Sequence, residues 1–267
     1  MRVIAVSNSK GGVGKTTTAV TVAHGLALSG HRVLIVDLDA QGSAGHALGL
    51  GGRFKRTTFD LLVGNRSVEE CVVKARKHLW LLPSDVGMAE AKDRIVAQAA
   101  VRAVASMARG RRAELDDPTI TLVRAMKGAA DFDYVLLDCA PGVDIMVANA
   151  LMYAHEVIMP VSVDYLSTVG AGQHVQSVVE AQIQGASVYI SVVLPTFYER
   201  NTHKAQVILG QLREHFGRIV ADPIPKGVKV AEAPGYGQTL WEYAPKSKPA
   251  AAYRALIERI EHAQDTA

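Results

Sequence analysis

The side chains with the clearest chemistry lie near the amino terminus, in the stretch SNSKGGVGKTTTA. Gly14, Lys15 and Thr16 match the end of the phosphate-loop pattern G-x-x-x-x-G-K-[ST]. In that pattern backbone N–H groups and the lysine bind phosphate oxygens, and the hydroxyl suits Mg²⁺. The start of the loop departs from the pattern, because Ser9 stands where glycine is expected and Lys10 adds a second ammonium group. The spacing therefore predicts a nucleotide site and leaves the second lysine to be explained.

Acidic residues at the ends of predicted strands complete this chemistry. Asp37 and Asp39 lie in VDLDAQG, and strand alternation predicts that their side chains point to the same side. Asp138, in YVLLDCAPG, stands where a Walker-B carboxylate holds Mg²⁺ directly or through water. An isolated aspartate after a strand is usually a turn former or a helix cap, so this interpretation depends on the phosphate loop. The predicted metal ligands are Thr16, Asp39 and Asp138.

Alternating strand and helix patterns must position these residues. A strand over 3–6, a helix ending near Gly30 and a strand over 32–37 form a βαβ unit, which requires a parallel pair and a right-handed crossover. Apolar runs predict further strands over 79–82, 134–138, 157–161 and 188–194, and apolar periodicity predicts helices over 88–107, 205–216 and 253–260. The pattern predicts one α/β domain over 1–267, a doubly wound, mostly parallel sheet with helices on both faces.

Composition limits the function classes. The chain has 267 residues, of which 49% are hydrophobic, so it can bury a sizeable core. Its net charge of +3 is too small to indicate a nucleic-acid partner, so DNA binding would require local clusters of basic residues. Cys71 and Cys139 form no C-x-x-C pair, which argues against a disulfide framework or an iron–sulfur site. The amino-terminal sequence lacks a signal-peptide layout and no run of about 18 apolar residues occurs, so we expect a cytoplasmic protein.

Three motifs together resemble the ParA/MinD family of deviant Walker-A ATPases within the P-loop group. They are KGGVGKTT at 10–17, DLDAQG at 37–42 and DCAPG at 138–142. Two later segments, at 224–238 and 243–253, are similar to the ParA/Soj branch, so the resemblance covers nearly the whole chain. It implies a single ParA-like ATPase domain over 1–267 that uses ATP and Mg²⁺, with slow intrinsic turnover.

The resemblance also implies roles for particular residues. Lys10 matches the signature lysine, which in the family contacts nucleotide across an ATP-sandwich homodimer, and Gly11 matches a position of close subunit approach. Asp39 matches the carboxylate needed for hydrolysis, so the implied catalytic residues are Lys10, Lys15 and Asp39. The segment after Asp138 matches a switch that senses the γ-phosphate, and Pro225 matches a loop over the adenine. The implied ATP-binding residues are Lys10, Gly11, Gly12, Val13, Gly14, Lys15, Thr16, Thr17, Pro225 and Lys226.

In the ParA/Soj branch the ATP-bound dimer binds double-stranded DNA without sequence preference, and a ParB-like partner stimulates hydrolysis. The resemblance therefore implies a nucleoid-associated partitioning ATPase. The candidate DNA-binding residues are Arg200, Lys226, Lys229, Lys246 and Lys248, of which Lys226 is also a candidate for the adenine loop. Ala40, Ala140 and Gly142 depart from the family pattern but remove no charged group. The arginine-rich stretch over 102–112 could be a DNA contact, a partner site or a solvated helix end.

Other functions on this fold stay open. A MinD-like membrane-cycling ATPase needs a basic amphipathic tail, whereas this tail carries Glu258, Glu261 and Asp265. An iron–sulfur reductase needs suitably placed cysteines, and Cys139 beside Asp138 is a poor candidate. A metabolic amidoligase or synthetase is a further alternative. The sequence does not identify the cargo, for which a plasmid, a chromosome origin, a carboxysome and a chemotaxis cluster are all candidates.

Overall fold

The computed structural model describes residues 1–51, 54–110, 117–163 and 167–263, and within them seven strands form one sheet. The strands are β1 (Arg2–Val6), β2 (Val33–Asp37), β3 (Val73–Arg76), β4 (Leu79–Leu82), β5 (Tyr134–Asp138), β6 (Glu156–Ser162) and β7 (Tyr189–Thr196). The helices are α1 (Lys15–Leu28), α2 (Ser43–Ala47), α3 (Thr58–Leu62), α4 (Val68–Cys71), α5 (Met88–Ala108), α6 (Thr121–Ala125), α7 (Ile145–Tyr153), α8 (Ser167–Ile183), α9 (His203–Phe216), α10 (Val228–Glu232), α11 (Leu240–Tyr243) and α12 (Lys248–His262). Short 3₁₀ turns span Pro118–Ile120, Met126–Asp131, Gly217–Ile219 and Ala233–Tyr236.

The strand order is β3-β4-β2-β5-β1-β6-β7, and every pair except β3–β4 is parallel. β1 therefore lies between β5 and β6, although β2 follows it in the chain. In the register of the sheet, Asp138 lies opposite both Val6 and Asp37. The carboxyl ends of β1, β2 and β5 thus meet at one edge, where ligands bind in open parallel sheets.

Helices cover both faces of the sheet, as the sequence predicts. Strand alternation divides the apolar side chains: Val3 and Ala5 of β1 face one core, and Ile4 and Val6 face the other. The first core contains side chains of α3 to α9, and the second contains side chains of α1, α2, α11 and α12. Because the strands are buried on both faces, their sequences are continuous apolar runs rather than alternating ones.

Among the described strands, β3 is the one that the sequence pattern did not predict. Its sequence, VKAR, contains no apolar run, and Lys74 is exposed at the edge of the sheet. A tight turn in which His78 has φ +59° brings β3 back antiparallel to β4. An edge strand needs to bury only one side, so its hydrophobic signal is weak. In the ranges given above, none of the helices has the length and apolarity needed to cross a bilayer.

Candidate nucleotide-binding site

The glycine-rich loop joins β1 to α1 at the edge where the strands end. Gly12 and Gly14 have φ values of +70° and +89°, which residues with a Cβ atom rarely adopt. Gly14 is the cap residue of α1, and its carbonyl accepts the first helical hydrogen bond from the Thr18 N–H. The helix therefore begins at Lys15 with its N–H groups and positive dipole end directed at the loop, an arrangement that favours phosphate.

Lys15 lies inside this loop rather than on its surface. Its ammonium Nζ donates a 2.7 Å hydrogen bond to the backbone carbonyl of Lys10, and only 7% of the residue is exposed. Burial lowers the pKa of Lys15, while the neighbouring Cys139, Asp138 and Asp39 raise it. The ammonium is thus held between the loop backbone and a group of acidic side chains, where the oxygens of a bound phosphate would compete for it.

Asp138 provides the best test of whether the site suits Mg²⁺. Its carboxylate is fully buried, and neither oxygen accepts a hydrogen bond of standard geometry. Burial raises the pKa of Asp138 well above its ordinary value, and so does the nearby Asp37, while the Thr16 hydroxyl lies close enough to lower it. A buried carboxylate without hydrogen-bond partners lowers the stability of the folded protein unless a bound cation or hydrogen-bond donor contacts its oxygens. Asp138 and Thr16 are therefore oxygen donors suited to Mg²⁺.

The described residues contain no group of three or more His, Cys, Asp or Glu side chains arranged as a metal cluster. This is compatible with Mg²⁺, which is commonly bound by one or two protein oxygens together with waters and substrate phosphates. When bound, the ion would supply positive charge to the phosphate oxygens. Asp39 stays a predicted ligand or water-orienting residue, and it lies in the same cleft.

The two aspartates of VDLDAQG, which strand alternation predicts to point to the same side, have different surroundings. Asp37 is buried, and its carboxylate accepts backbone hydrogen bonds from Asp39 at 3.0 Å and from Ala44 at 3.1 Å. Burial raises the pKa of Asp37 to about 7. Because β2 ends at Asp37, alternation no longer applies to Asp39, which lines the cleft. Asp37 therefore holds the turn and the start of α2, and Asp39 is available for chemistry.

The loop opens into a phosphate cleft of about 410 Å³. Its lining consists of Gly11, Gly12, Gly14, Lys15, Thr16, Thr17, Asp39, Ser43, Ala47, Pro141, Phe197 and Pro234. Four predicted ATP-binding residues lie outside this lining: Pro225 and Lys226, which line the second cleft described below, and Val13 and Lys10. Val13 is buried and its carbonyl accepts a hydrogen bond from Thr196, while the Lys10 N–H donates to Asn8 at 3.0 Å.

The segment after Asp138 is tied directly to the glycine-rich loop. The Gly142 N–H donates to the Ser9 carbonyl at 2.9 Å, and Gly142 has φ +109°. Pro141 lines the cleft, and its Cβ would lie 3.9 Å from a methyl group added at Gly11. That distance is an ordinary contact, so the neighbours described within this subunit do not require glycine at position 11. These contacts hold the segment after Asp138 beside the glycine-rich loop, and the resemblance implies that this segment senses the γ-phosphate bound there.

A second, apolar cleft of about 430 Å³ adjoins the first and shares Gly14, Thr17 and Phe197 with it. The remaining lining is Thr196, Ile224, Pro225, Lys226, Gly227, Val228, Val230, Ala231 and Tyr253. A cleft at the loop that contains Lys15, Thr16 and Asp39, beside a more apolar one, suits the two parts of a nucleotide, a triphosphate and a base. Pro225 and Lys226 thus lie where the resemblance places the adenine loop.

Phe197 is the notable residue that sequence reasoning missed. It follows β7 directly and lines both clefts. The rule that ligands bind beyond the carboxyl ends of parallel strands, applied to β7 as well as to β1, β2 and β5, would have identified it.

The candidate DNA-binding residues lie on neighbouring segments. Arg200, Lys226, Lys229, Lys246 and Lys248 are all exposed. Tyr198 and Pro225 form a β-bridge that brings the chain near Arg200 beside Lys226. A methyl group at Gly227 would lie 3.0 Å from Pro249, so the start of α12 with Lys248 is also adjacent. Lys226 also forms a 2.6 Å ion pair with Glu199.

The arginine-rich stretch is only partly described. Arg102 lies in the final part of α5, and Arg109 follows the helix directly, whereas Arg111 and Arg112 lie outside the described residues. From Ala100 to the end of α5 no residue is buried. This supports the interpretation as a solvated helix end.

His174 of α8 is a buried histidine whose ring nitrogens both lack hydrogen-bond partners. Burial, together with the smaller effect of the positive charge of Lys15, lowers its pKa to about 4. The ring is therefore neutral in the folded protein at neutral pH. In the unfolded chain it would titrate near 6.5.

We expect this difference to make the protein less stable in mild acid. As pH falls below 6.5 the unfolded chain gains a proton that the folded protein does not accept until about pH 4. The free energy of unfolding then falls by up to about 1.36 kcal/mol per pH unit, and by about 2 kcal/mol in total at pH 5. Urea unfolding of His174→Leu at pH 7.5 and pH 5 should show that much less acid destabilisation than the unchanged chain. His203→Gln, an exposed change on α9, is the matched control, and equal pH dependence in both variants would contradict the assignment.

Comparison with known proteins supports the nucleotide site. The AAA domain family model matches residues 1–188. The chain is 35% identical to the chromosome-partitioning ATPase Soj of Thermus thermophilus, covering 97% of this chain and 95% of the relative. It is 31% identical to the chromosome partitioning protein ParA of Caulobacter vibrioides, covering 97% and 94%. Among solved structures, cobyrinic acid a,c-diamide synthase from Mycobacterium smegmatis, with bound ATP analog and magnesium, gives a TM-score of 0.81 at 28% identity, covering 100% of this chain and 97% of that one.

Proposed function

Because this chain belongs to the ParA/Soj family of partitioning ATPases, we propose that ATP drives it between a DNA-binding dimer and a released form. The chain is an ATPase, and its cofactors are ATP and Mg²⁺. The observation that carries the proposal is the pair of joined clefts. Lys15, Thr16 and Asp138 meet at one end, and the segment bearing Lys226 closes the other.

The arrangement explains how nucleotide could control a distant surface. Lys226 lines the apolar cleft and also belongs to the exposed basic segment near Arg200. A nucleotide that fills the cleft would therefore order part of the surface proposed to bind DNA. We propose that two ATP-bound subunits form a sandwich, that each contributes Arg200, Lys226, Lys229, Lys246 and Lys248, and that a ParB-like partner stimulates hydrolysis and release. The cytoplasm and its nucleoid are the proposed location.

DNA binding is expected only with ATP and should be strongly salt dependent. If two of these residues in each subunit, Arg200 among them, neutralise one phosphate each, a dimer neutralises about four phosphates. The slope of log affinity against log salt is then about −3.6, and affinity falls by about two decades between about 50 and 200 mM salt. Arg200→Ala removes two contacts per dimer, which should reduce the slope by about 1.8. Fluorescence anisotropy with unrelated duplexes measures both quantities.

Lys74→Ala is the matched control, because Lys74 is an exposed cation at the opposite edge of the sheet, on β3. It should leave the slope unchanged. Tight DNA binding without nucleotide, or none with ATP and Mg²⁺, would overturn the proposal. Pelleting with anionic liposomes in the presence of ATP tests the alternative, a MinD-like membrane-cycling ATPase, and we expect the protein to stay in the supernatant.

A further inference from the structure

Phe197 has a backbone conformation that a bulky residue rarely adopts. Its φ is +54°, in the left-handed region that favours glycine, and its side chain is 45% exposed. The other described non-glycine residues with positive φ are Asn65 and His78. Neither of these lines the two clefts, whereas Phe197 lines both. Strain of this kind persists only where the surrounding structure imposes it.

Hydrogen bonds on both sides of Phe197 impose this conformation. Before it, the Thr196 hydroxyl donates to the Val13 carbonyl at 2.9 Å, which fixes the end of β7 to the glycine-rich loop. After it, the Tyr198 N–H donates to the Ile224 carbonyl at 3.0 Å, and the Tyr198 carbonyl accepts from the Lys226 N–H at 3.1 Å. The residue is thus held between the phosphate loop and the predicted adenine loop.

The ring occupies the junction between the two clefts. A methyl group built on Gly14 would lie 3.9 Å from the Cζ atom of Phe197. The ring therefore lies next to Gly14, the N-cap residue of α1. A triphosphate at the loop and a base in the apolar cleft would be joined by a ribose that passes this point. A half-exposed aromatic ring at this position offers apolar surface to a bound nucleoside.

We propose that Phe197 is a nucleoside-binding residue, whose ring packs against the sugar and base of ATP and sets the position of the nucleoside relative to the phosphate loop. This assignment rests on the proposed function, because it presumes ATP in the two clefts. The hydrogen bonds of the flanking residues hold this segment at the junction before nucleotide binds. Less conformational entropy is therefore lost on binding.

The test compares ATP with inorganic triphosphate, which has the phosphates and no nucleoside. Calorimetric titration in the presence of Mg²⁺ should show that Phe197→Ala weakens ATP binding by about tenfold or more, the range found when aromatic stacking on a base is removed. Triphosphate affinity should change by less than about twofold, because Phe197 offers it no charged or hydrogen-bonding group. Phe197→Tyr should retain the affinity for ATP.

Phe197→Gly guards against misfolding, since glycine adopts φ +54° without strain, and it should show the same selective loss. Tyr189→Ala is the matched control, because Tyr189 is an exposed aromatic residue at the opposite end of β7. Unchanged ATP affinity in both Phe197→Ala and Phe197→Gly would overturn the assignment of Phe197 but not the proposed function. Equal losses of affinity for ATP and triphosphate would do the same. Absence of ATP binding by the unchanged chain would overturn the proposed function as well.

Discussion

Replacement of Lys15 by alanine is expected to weaken ATP binding by about 10- to 150-fold, the equivalent of about 1.5–3 kcal/mol for a charge-assisted hydrogen bond. The reason lies in the position of the ammonium, which is buried in the loop and donates to the Lys10 carbonyl. In the bound state a phosphate oxygen would take the place of that carbonyl. Removal of Lys15 also leaves Asp138 without the cation that helps to lower its pKa.

Titration of the variant with a non-hydrolysable ATP analogue measures this effect directly. Lys74→Ala is a suitable control, because Lys74 is an exposed lysine of the edge strand β3 that lies outside both clefts. A Lys15→Ala protein that is folded by circular dichroism and binds nucleotide with unchanged affinity would refute the assignment of the phosphate cleft.

Replacement of Lys10 by alanine is expected to have a different effect, namely the loss of ATP-dependent dimers and of hydrolysis. The Lys15 ammonium donates its hydrogen bond to the backbone carbonyl of Lys10, and the alanine substitution retains that carbonyl. Binding of ATP by one subunit should therefore change by only a few fold. If the Lys10 ammonium neutralises transition-state charge on the partner's nucleotide, its loss should lower the hydrolysis rate by about 100-fold.

Sedimentation with a non-hydrolysable analogue, together with phosphate release, separates the two lysines. Lys15→Ala should not bind ATP tightly, whereas Lys10→Ala should bind ATP but form no ATP-dependent dimers and hydrolyse little of it. Normal dimers and normal hydrolysis by Lys10→Ala would show that the second lysine has no role in trans. The missing glycine at Ser9 would then be an ordinary variation of the loop.

Much of the site could be predicted because its signals are local. Gly14, Lys15 and Thr16 are consecutive, and the glycines have the positive φ values that their type permits. The buried strands of a parallel sheet must be apolar on both faces, so their sequences mark them, and β4 and β5 begin and end as predicted. The carboxyl ends of β1, β2 and β5 then had to meet at one edge, which placed Asp138 beside the loop.

What the sequence determined by itself is therefore the phosphate-binding chemistry and the α/β framework, because both follow from residue type and short-range periodicity. Only the tertiary structure decided which aspartate is available: Asp37 turns inward to hold two backbone N–H groups, while Asp39 lines the cleft. It also decided that Phe197, more than 180 residues after Val13 in the chain, lies over the glycine-rich loop. Such contacts depend on how β7 is stacked in the sheet and on hydrogen bonds between distant loops, neither of which leaves a pattern in neighbouring residues.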